Sequence, residues 1–295
     1  MNAPVFPPLT IAGRPVPPLL LGRLAETRPK IPLREQLAER GYLLLRGMHD
    51  AGEVEAARHE VLGRLAQVDE ARDTSGRGIA TGRSRRAALH PDLAAFWRSV
   101  SEGPALRRVI NGPRISAAMA GIFGEAAAHF SFAWLRAMVA GKGSGLHCDS
   151  PFMNRGSKRL LTVWTPLGSV ALNEAPLYVV EGSHRWADLR ERFEGLDVDR
   201  DSGSADFGVH AVDLASERGT RLLTSPFEAG DCLMFGMFTA HASFDNASPE
   251  GRIRLSCDTR FQPAADPMDD RWSGPNPSGH GGRGYGDMAG PLPVR

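Results

Sequence analysis

After residue 128 the chain breaks into short apolar runs separated by glycine, proline and asparagine clusters, and no other feature constrains its fold so strongly. The runs are Phe130 to Val139, Leu160 to Thr165, Leu177 to Val180, Val209 to Asp213, Arg221 to Thr224, Cys232 to Phe235 and Arg252 to Phe261. Their length and bounding residues mark them as strands. Short strands following a helical first half predict a jelly roll flanked by helices, an α+β arrangement.

The segments around this core read differently. Prolines at 4, 7, 8, 15, 17, 18 and 29 make the first 30 residues an extended arm with little expected regular structure. Residues 31–128 form a mainly helical flank. Helices are predicted over Leu33 to Arg40, Glu53 to Ala66, Asp92 to Val100 and Ile115 to Phe123, with a buried strand from Tyr42 to Leu45. In the second helix Val54, Ala57, Val61, Leu62 and Leu65 share a face, which leaves Arg58, Glu60 and Arg64 pointing outward. Arg72 to His90 is arginine- and glycine-rich and reads as a loop, and residues 263–295 as an irregular tail pinned to the body by Trp272. The expectation is one domain over residues 1–295.

Composition excludes several function classes. Hydrophobic residues are 42% of the chain and charged ones 23%, with a net charge of +1, so neither a nucleic-acid nor a membrane partner is indicated. A small-molecule substrate is the expectation. No apolar run reaches the roughly 18 residues of a membrane helix. The start MNAPVFPPLT lacks the positive charges of a secretory signal, which points to the cytoplasm. Cys148, Cys232 and Cys257 have no CxxC spacing and are expected to be reduced and buried. Neither G-x-S-x-G nor HExxH occurs, and Gly141-Lys142-Gly143-Ser144-Gly145 lacks the Walker spacing and reads as an approach to the residues that follow.

Those residues are His147-Cys148-Asp149. On a strand, side chains two apart point the same way, so His147 and Asp149 can address one ion. His241, after the Cys232 to Phe235 strand and in a turn before the next, is the candidate third ligand. Two imidazoles and a carboxylate on one face leave positions open and match a non-heme Fe(II) oxygenase that takes O2 and a chelating co-substrate. His184, in the Gly182-Ser183-His184 turn, competes for the third position but suits a loop anchor better. Arg252 and Arg254 open the strand RIRLSCDTRF and share a face with Ser256. One of the two arginines fits the far carboxylate of 2-oxoglutarate, because a guanidinium matches a carboxylate in two-pronged geometry.

The segments LHCDSPFMNRGSKRLLTVWTPLGSVALNEAPLYVVEGSHRW and HASFDNASPEGRIRLSCDTRFQP resemble the phytanoyl-CoA dioxygenase family of Fe(II)/2-oxoglutarate oxygenases. The resemblance covers roughly residues 30–262. It implies a double-stranded β-helix (jelly roll, cupin-like) core, with His147, Asp149 and His241 as iron ligands. It also implies that Arg252 grips 2-oxoglutarate, with Arg254 as its substitute, and that Ser243 and Trp164 line the co-substrate pocket. The activity implied is hydroxylation of an unactivated C–H bond with release of succinate and CO2; the carboxylate of Asp149 favours this over halogenation. One departure is visible, since Asn173-Glu174-Ala175-Pro176-Leu177 stands where the family is usually glycine-rich.

Candidates for substrate contact are Arg136, Phe152, Met153, Asn154 and the arginines near residues 77 to 86, which together suggest an anionic substrate. A basic loop serves equally as a solvated face. The competing function is a cupin-like isomerase or sensor that binds a metal without oxygen chemistry; a carboxylate clamp eleven residues past the last ligand argues against it.

Overall fold

Residues 6–72, 76–201, 203–275, 277 and 285–289 are described by a computed structural model, and their strands fall into two main sheets and two short hairpins. In chain order come β1 (Thr10–Ile11), β2 (Arg14–Pro15), β3 (Leu21–Arg23), α1 (Leu33–Arg40), β4 (Tyr42–Leu45), α2 (Ala51–Gln67), β5 (Ala71–Arg72), β6 (Ile79–Ala80) and α3 (Arg86–Leu89). The helices α4 (Leu93–Ser101), α5 (Pro104–Ile110) and α6 (Pro113–Phe123) precede β7 (Ala127–His129) and β8 (Trp134–Met138). Last are β9 (Leu161–Pro166), β10 (Leu177–Val180), α7 (Ala187–Phe193), α8 (Ala211–Glu217), β11 (Leu222–Thr224), β12 (Cys232–Gly236), β13 (His241–Ser243) and β14 (Arg254–Pro263). The fold is mixed α and β.

The larger sheet runs β4-β12-β9-β14-β7, with β8 also paired to β14, and the smaller runs β13-β10-β11-β3. Strand alternation explains how they face each other. Leu44, Trp164, Leu233 and Phe235 of the larger sheet pack with Leu177, Val179 and Leu223 of the smaller one. Their neighbours Leu43, Leu45, Val163, Cys232 and Met234 turn outward onto Ile115, Met119 and Ile122 of α6. At the other end of the larger sheet, Leu135, Ala137, Leu255 and Cys257 meet α2, α4 and α5. The smaller sheet turns Tyr178, Val180 and Leu222 toward α7, α8 and the N-terminal arm.

Several sequence expectations change. Val209 to Asp213 is not a strand, because His210 caps α8 by accepting from the Val212 amide, and Ala211, Val212, Leu214 and Ala215 bury one helical face. The arm is more ordered than its prolines suggest, with β1 and β2 forming a hairpin and β3 adding to the smaller sheet parallel to β11. Proline at the first position of α5 and its seven-residue length hid that helix from a periodicity argument. Within Phe130 to Val139 the strand is Trp134–Met138 (β8), and residues 130–133 form the bend that joins it to β7. The loop from Arg72 to His90 contains β6 and α3, while its residues 73–75 lie outside the described set. Trp272 is buried against Phe132 and Trp134, so it does pin the tail; residues 276, 278–284 and 290–295 of that tail are not described.

Arg58 points inward rather than outward. Its guanidinium donates to the carbonyls of Gly76 (2.7 Å), Arg77 (2.7 Å) and Leu167 (3.0 Å), joining α2 to the loop before β6 and the end of β9. Burial draws its pKa down to about 10, which keeps it charged at neutral pH. Replacing it leaves the buried Leu167 carbonyl and two partly buried ones without this donor. Arg58→Met is expected to destabilise the protein by about 3 kcal/mol in urea denaturation, as hydrogen bonds to a charged group contribute roughly 1.5–3 kcal/mol each. Arg83→Met, which removes an exposed pair with Asp69, should leave the midpoint unmoved.

Candidate metal centre

His147 and His241 face each other as the two halves of an antiparallel bridge. The His147 amide donates to the His241 carbonyl at 3.2 Å and the His241 amide returns the bond at 2.9 Å. Directly opposed residues place their side chains on one face, and the two rings lie with centroids 4.3 Å apart. Each ring is oriented by a carbonyl two residues before it, Gly145 for His147 Nδ1 (2.8 Å) and Thr239 for His241 Nδ1 (2.9 Å). A proton on each Nδ1 leaves both Nε2 atoms with a free lone pair.

Asp149 is not on a strand with His147. It has helical backbone angles and leads into the 3-10 turn Ser150–Phe152, while Cys148 packs among apolar side chains. The chain bend at Asp149 still delivers a carboxylate to the imidazoles. Asp149 Oδ1 is 3.6 Å from His147 Nε2 and 3.9 Å from His241 Nε2. One donor atom from each residue lies within 4.8 Å of the others, the spacing an ion with bonds of roughly 2.1 Å can close. The other oxygen, Oδ2, accepts from Thr162 Oγ1 at 2.5 Å and Arg260 Nη2 at 2.9 Å. Thr162 and Arg260 are cross-strand partners on β9 and β14, so the sheet register presents both to the same carboxylate.

The electrostatics favour the deprotonated set. Burial opposes ionisation of Asp149, but Arg260, the two imidazoles and Thr162 outweigh it and hold its carboxyl well below the usual carboxylate range. His241 is pushed down to about 3, first by burial and next by His147, with Asp149 and the Thr239 carbonyl pulling the other way. A neutral imidazole and an ionised carboxylate are the forms a metal requires.

These groups open into a cavity of about 1110 Å³ lined by His147, His241, Trp164, Arg254, Arg136 and Asp258, among others. Arg254 is buried beside Trp164; its Nε donates to the Ala175 carbonyl at 3.1 Å and its Nη1 to Ser256 Oγ at 2.5 Å. Burial lowers its pKa to about 10, so it remains a cation. Nη2 is left with no protein partner among the described residues. The structure does not bring Arg252 into this cavity. It precedes β14 and forms an ion pair with Glu174 at 2.8 Å. Glu174 and Ala175 belong to the segment that departs from the family pattern, so that departure occupies both arginines.

Ser243 does not line the cavity either. Its hydroxyl accepts from the Ser144 amide (2.8 Å) and its amide donates to Ser144 Oγ (2.7 Å), fastening the loop before His147 to β13. Gly143 permits this approach, since a Cβ there would come 2.9 Å from the carbonyls of Ser243 and Phe244. His184 is in the turn its sequence suggested, with Nε2 3.3 Å from the Ala38 carbonyl. Of the expected substrate contacts, Arg136 and Phe152 line the cavity, whereas Met153 is core and Asn154 donates to the Leu196 carbonyl. Arg77, Arg83 and Arg86 pair with Glu250, Asp69 and Glu70 instead. Sequence reasoning missed Thr162 and Arg260; the alternation of RIRLSCDTR, with Arg254, Ser256, Asp258 and Arg260 on one face, was the signal for the arginine.

The family model described as phytanoyl-CoA dioxygenase (PhyH) matches residues 37–254. The 1-deoxypentalenic acid 11-beta-hydroxylase of Streptomyces exfoliatus is 29% identical over 240 residues, covering 77% of this chain and 79% of that protein. Its counterpart from Streptomyces arenae is 28% identical over 264 residues, covering 82% and 85%. Among solved structures, the non-heme alpha-ketoglutarate-dependent epimerase SnoN from nogalamycin biosynthesis aligns with a TM-score of 0.54 and 22% identity over 89% of this chain and 91% of that one. The non-heme monooxygenase ThoJ, as its nickel complex, gives a TM-score of 0.54 and 17% identity over 81% and 80%. These two likenesses show a common fold.

Between about pH 3 and 6.5 His241 binds fewer protons folded than unfolded, so stability rises with pH across that window and falls as pH is lowered through it. The urea midpoint of metal-free protein should therefore drop progressively below pH 6.5. His241→Gln should flatten the drop; an equally steep fall in that variant would assign it to other groups.

Proposed function

Because the chain belongs to the phytanoyl-CoA dioxygenase family, we propose that His147, Asp149 and His241 hold the Fe(II) of a 2-oxoglutarate-dependent hydroxylase, with Arg254 gripping the co-substrate. The single observation that carries this reading is the convergence of two oriented Nε2 atoms and one free carboxylate oxygen beside a buried guanidinium. We read the facing sheets as a double-stranded β-helix and residues 1–295 as one catalytic domain. The three cysteines are free and buried, which suits a reducing compartment, and we place the protein in the cytoplasm. No helix among the described residues is long and apolar enough to cross a membrane.

When bound, iron supplies dioxygen activation coupled to oxidative decarboxylation of 2-oxoglutarate, giving succinate, CO2 and a hydroxylated C–H bond. The protein's part is positional. Gly145 and Thr239 fix the imidazole tautomers, Thr162 and Arg260 keep Asp149 ionised and aimed, and Arg254 supplies a donor for a carboxylate inside the cavity. Ser256 and the Ala175 carbonyl hold that guanidinium in place. Arg252, engaged by Glu174, is assigned a structural role, and Trp164 forms part of the co-substrate pocket wall.

The substrate is a small molecule. In the relatives named for it that molecule is 1-deoxypentalenic acid; here we propose a compound with an apolar body, because Ile11, Leu146, Phe152 and Val209 line the chamber. Arg136 also lines the chamber, with Asp258 3.7 Å away.

Anaerobic protein given Fe(II) and 2-oxoglutarate is expected to show a weak visible charge-transfer band that His147→Ala abolishes. Titrating the band with 2-oxoglutarate should give a dissociation constant raised roughly 100-fold in Arg254→Met, the loss expected when one side of a charged, buried hydrogen-bonded pair is removed. Arg252→Met should change it by no more than about threefold. The reverse order would return the clamp to Arg252.

A further inference from the structure

Neither the metal centre nor the co-substrate clamp accounts for the N-terminal arm, and we propose that its hairpin tip is a wall of the primary-substrate site, set in place by Asp245. The inference rests on the oxygenase reading of the adjoining cavity and deepens it.

β1 and β2 are joined by Ala12 and Gly13, with φ values of 50° and 79°. Two-residue hairpin turns of this kind favour asparagine or aspartate followed by glycine, and alanine in the left-handed region is an outlier that persists only where its surroundings impose it. Here they do. The Asp245 carboxylate accepts from Thr10 Oγ1 (2.7 Å), the Ala12 amide (3.0 Å) and the Gly13 amide (2.8 Å), and the Asp245 amide donates to the Thr10 carbonyl at 2.9 Å. Asp245 follows β13, four residues after His241, so one short segment carries both an iron ligand and the arm's anchor.

The hairpin is fastened on its other side as well. His210 Nδ1 accepts from the Val212 amide, which leaves Nε2 to donate to the Ile11 carbonyl at 3.1 Å. Arg14 forms a two-pronged pair with Asp213, both contacts at 2.6 Å. The arm thus bridges the ligand-bearing segment to the start of α8. Ile11 and Ala12 line the cavity together with Val198 and Val209, and they offer a small, apolar surface. A largely buried carboxylate is committed to holding an alanine in a strained turn at the chamber's edge. The chemistry that such a wall meets is the apolar body of the substrate, and its position sets which shapes fit.

Two measurements test this. In hydrogen exchange on the full chain, Asp245→Asn should accelerate residues 6–16 at least about tenfold, because charge-assisted bonds are lost, without affecting β13. The same variant should retain the Fe(II)–2-oxoglutarate band. Second, Ala12→Cys offers a reactive thiol in a protein whose native cysteines are all buried. Alkylating it with N-ethylmaleimide should weaken binding of the apolar dye 8-anilinonaphthalene-1-sulfonate at least fivefold, while the band and substrate-free succinate formation persist. The proposal is overturned if residues 6–16 exchange at the same rate in Asp245→Asn, or if that variant loses the band, which would make Asp245 a support for the metal strand. Dye that ignores the modification, or does not bind the wild type, overturns it equally. Absence of the band from the wild type would instead sink the oxygenase reading, which the exchange and dye measurements do not need.

Discussion

The reciprocal hydrogen bonds between the backbones of His147 and His241 are the constraint on which the rest of the site depends. Without that bridge two imidazoles from distant parts of the chain have no reason to share a face. With it, each ring needs only one further restraint, and each finds it in a carbonyl two residues upstream. Asp149 completes the set through a different device. Its charge survives burial because Arg260 and Thr162, paired across β9 and β14, bind one oxygen and leave the other for a metal. Lacking the arginine, the carboxylate would lose the largest of the interactions that offset its burial.

One strand then organises most of the chamber. The inner face of β14 carries Arg254, Ser256, Asp258 and Arg260, and its outer face buries Leu255, Cys257 and Phe261. Arg260 serves the ligand carboxylate, Asp258 faces Arg136, and Arg254 waits at the far end. Which arginine is offered to a co-substrate is decided elsewhere, by the loop before β10. Glu174 draws Arg252 out into an ion pair, and the Ala175 carbonyl, presented by a backbone with positive φ, steadies Arg254.

Much of this could be read from the sequence. Most strands of the two sheets were visible as apolar runs, and the ligand residues as a donor set, because both depend on local residue type; β3 lay hidden in the proline-rich arm, and His241, expected in a turn, opens β13. What escaped reading depends on tertiary neighbours. Arg58 looked solvent-facing on its helix because its carbonyl partners come from residues 76, 77 and 167. Val209 to Asp213 reads as a strand until His210 is seen to cap a helix. Ser243 carries a hydroxyl at a suggestive position, yet Ser144 claims it. Thr162 is an ordinary threonine in a β-branched run, and only the register of β9 against β14 gives it a carboxylate to hold.

The charges around the chamber bear on what it selects. Arg136 has Asp258 at 3.7 Å, Lys142 lies 3.9 Å from Asp287, Asp245 is taken by the arm, and Arg254 is the buried guanidinium beside Trp164. One buried guanidinium matches one carboxylate, and on the proposed reading 2-oxoglutarate supplies it. The primary substrate then meets walls that include Ile11, Leu146, Phe152 and Val209. An apolar wall discriminates by shape, at roughly 1–3 kcal/mol for each methylene group misplaced, and only where the wall is rigid. That requirement gives a physical reason for fixing the arm's tip through a carboxylate and two backbone amides instead of leaving an extended N-terminus to drape over the opening.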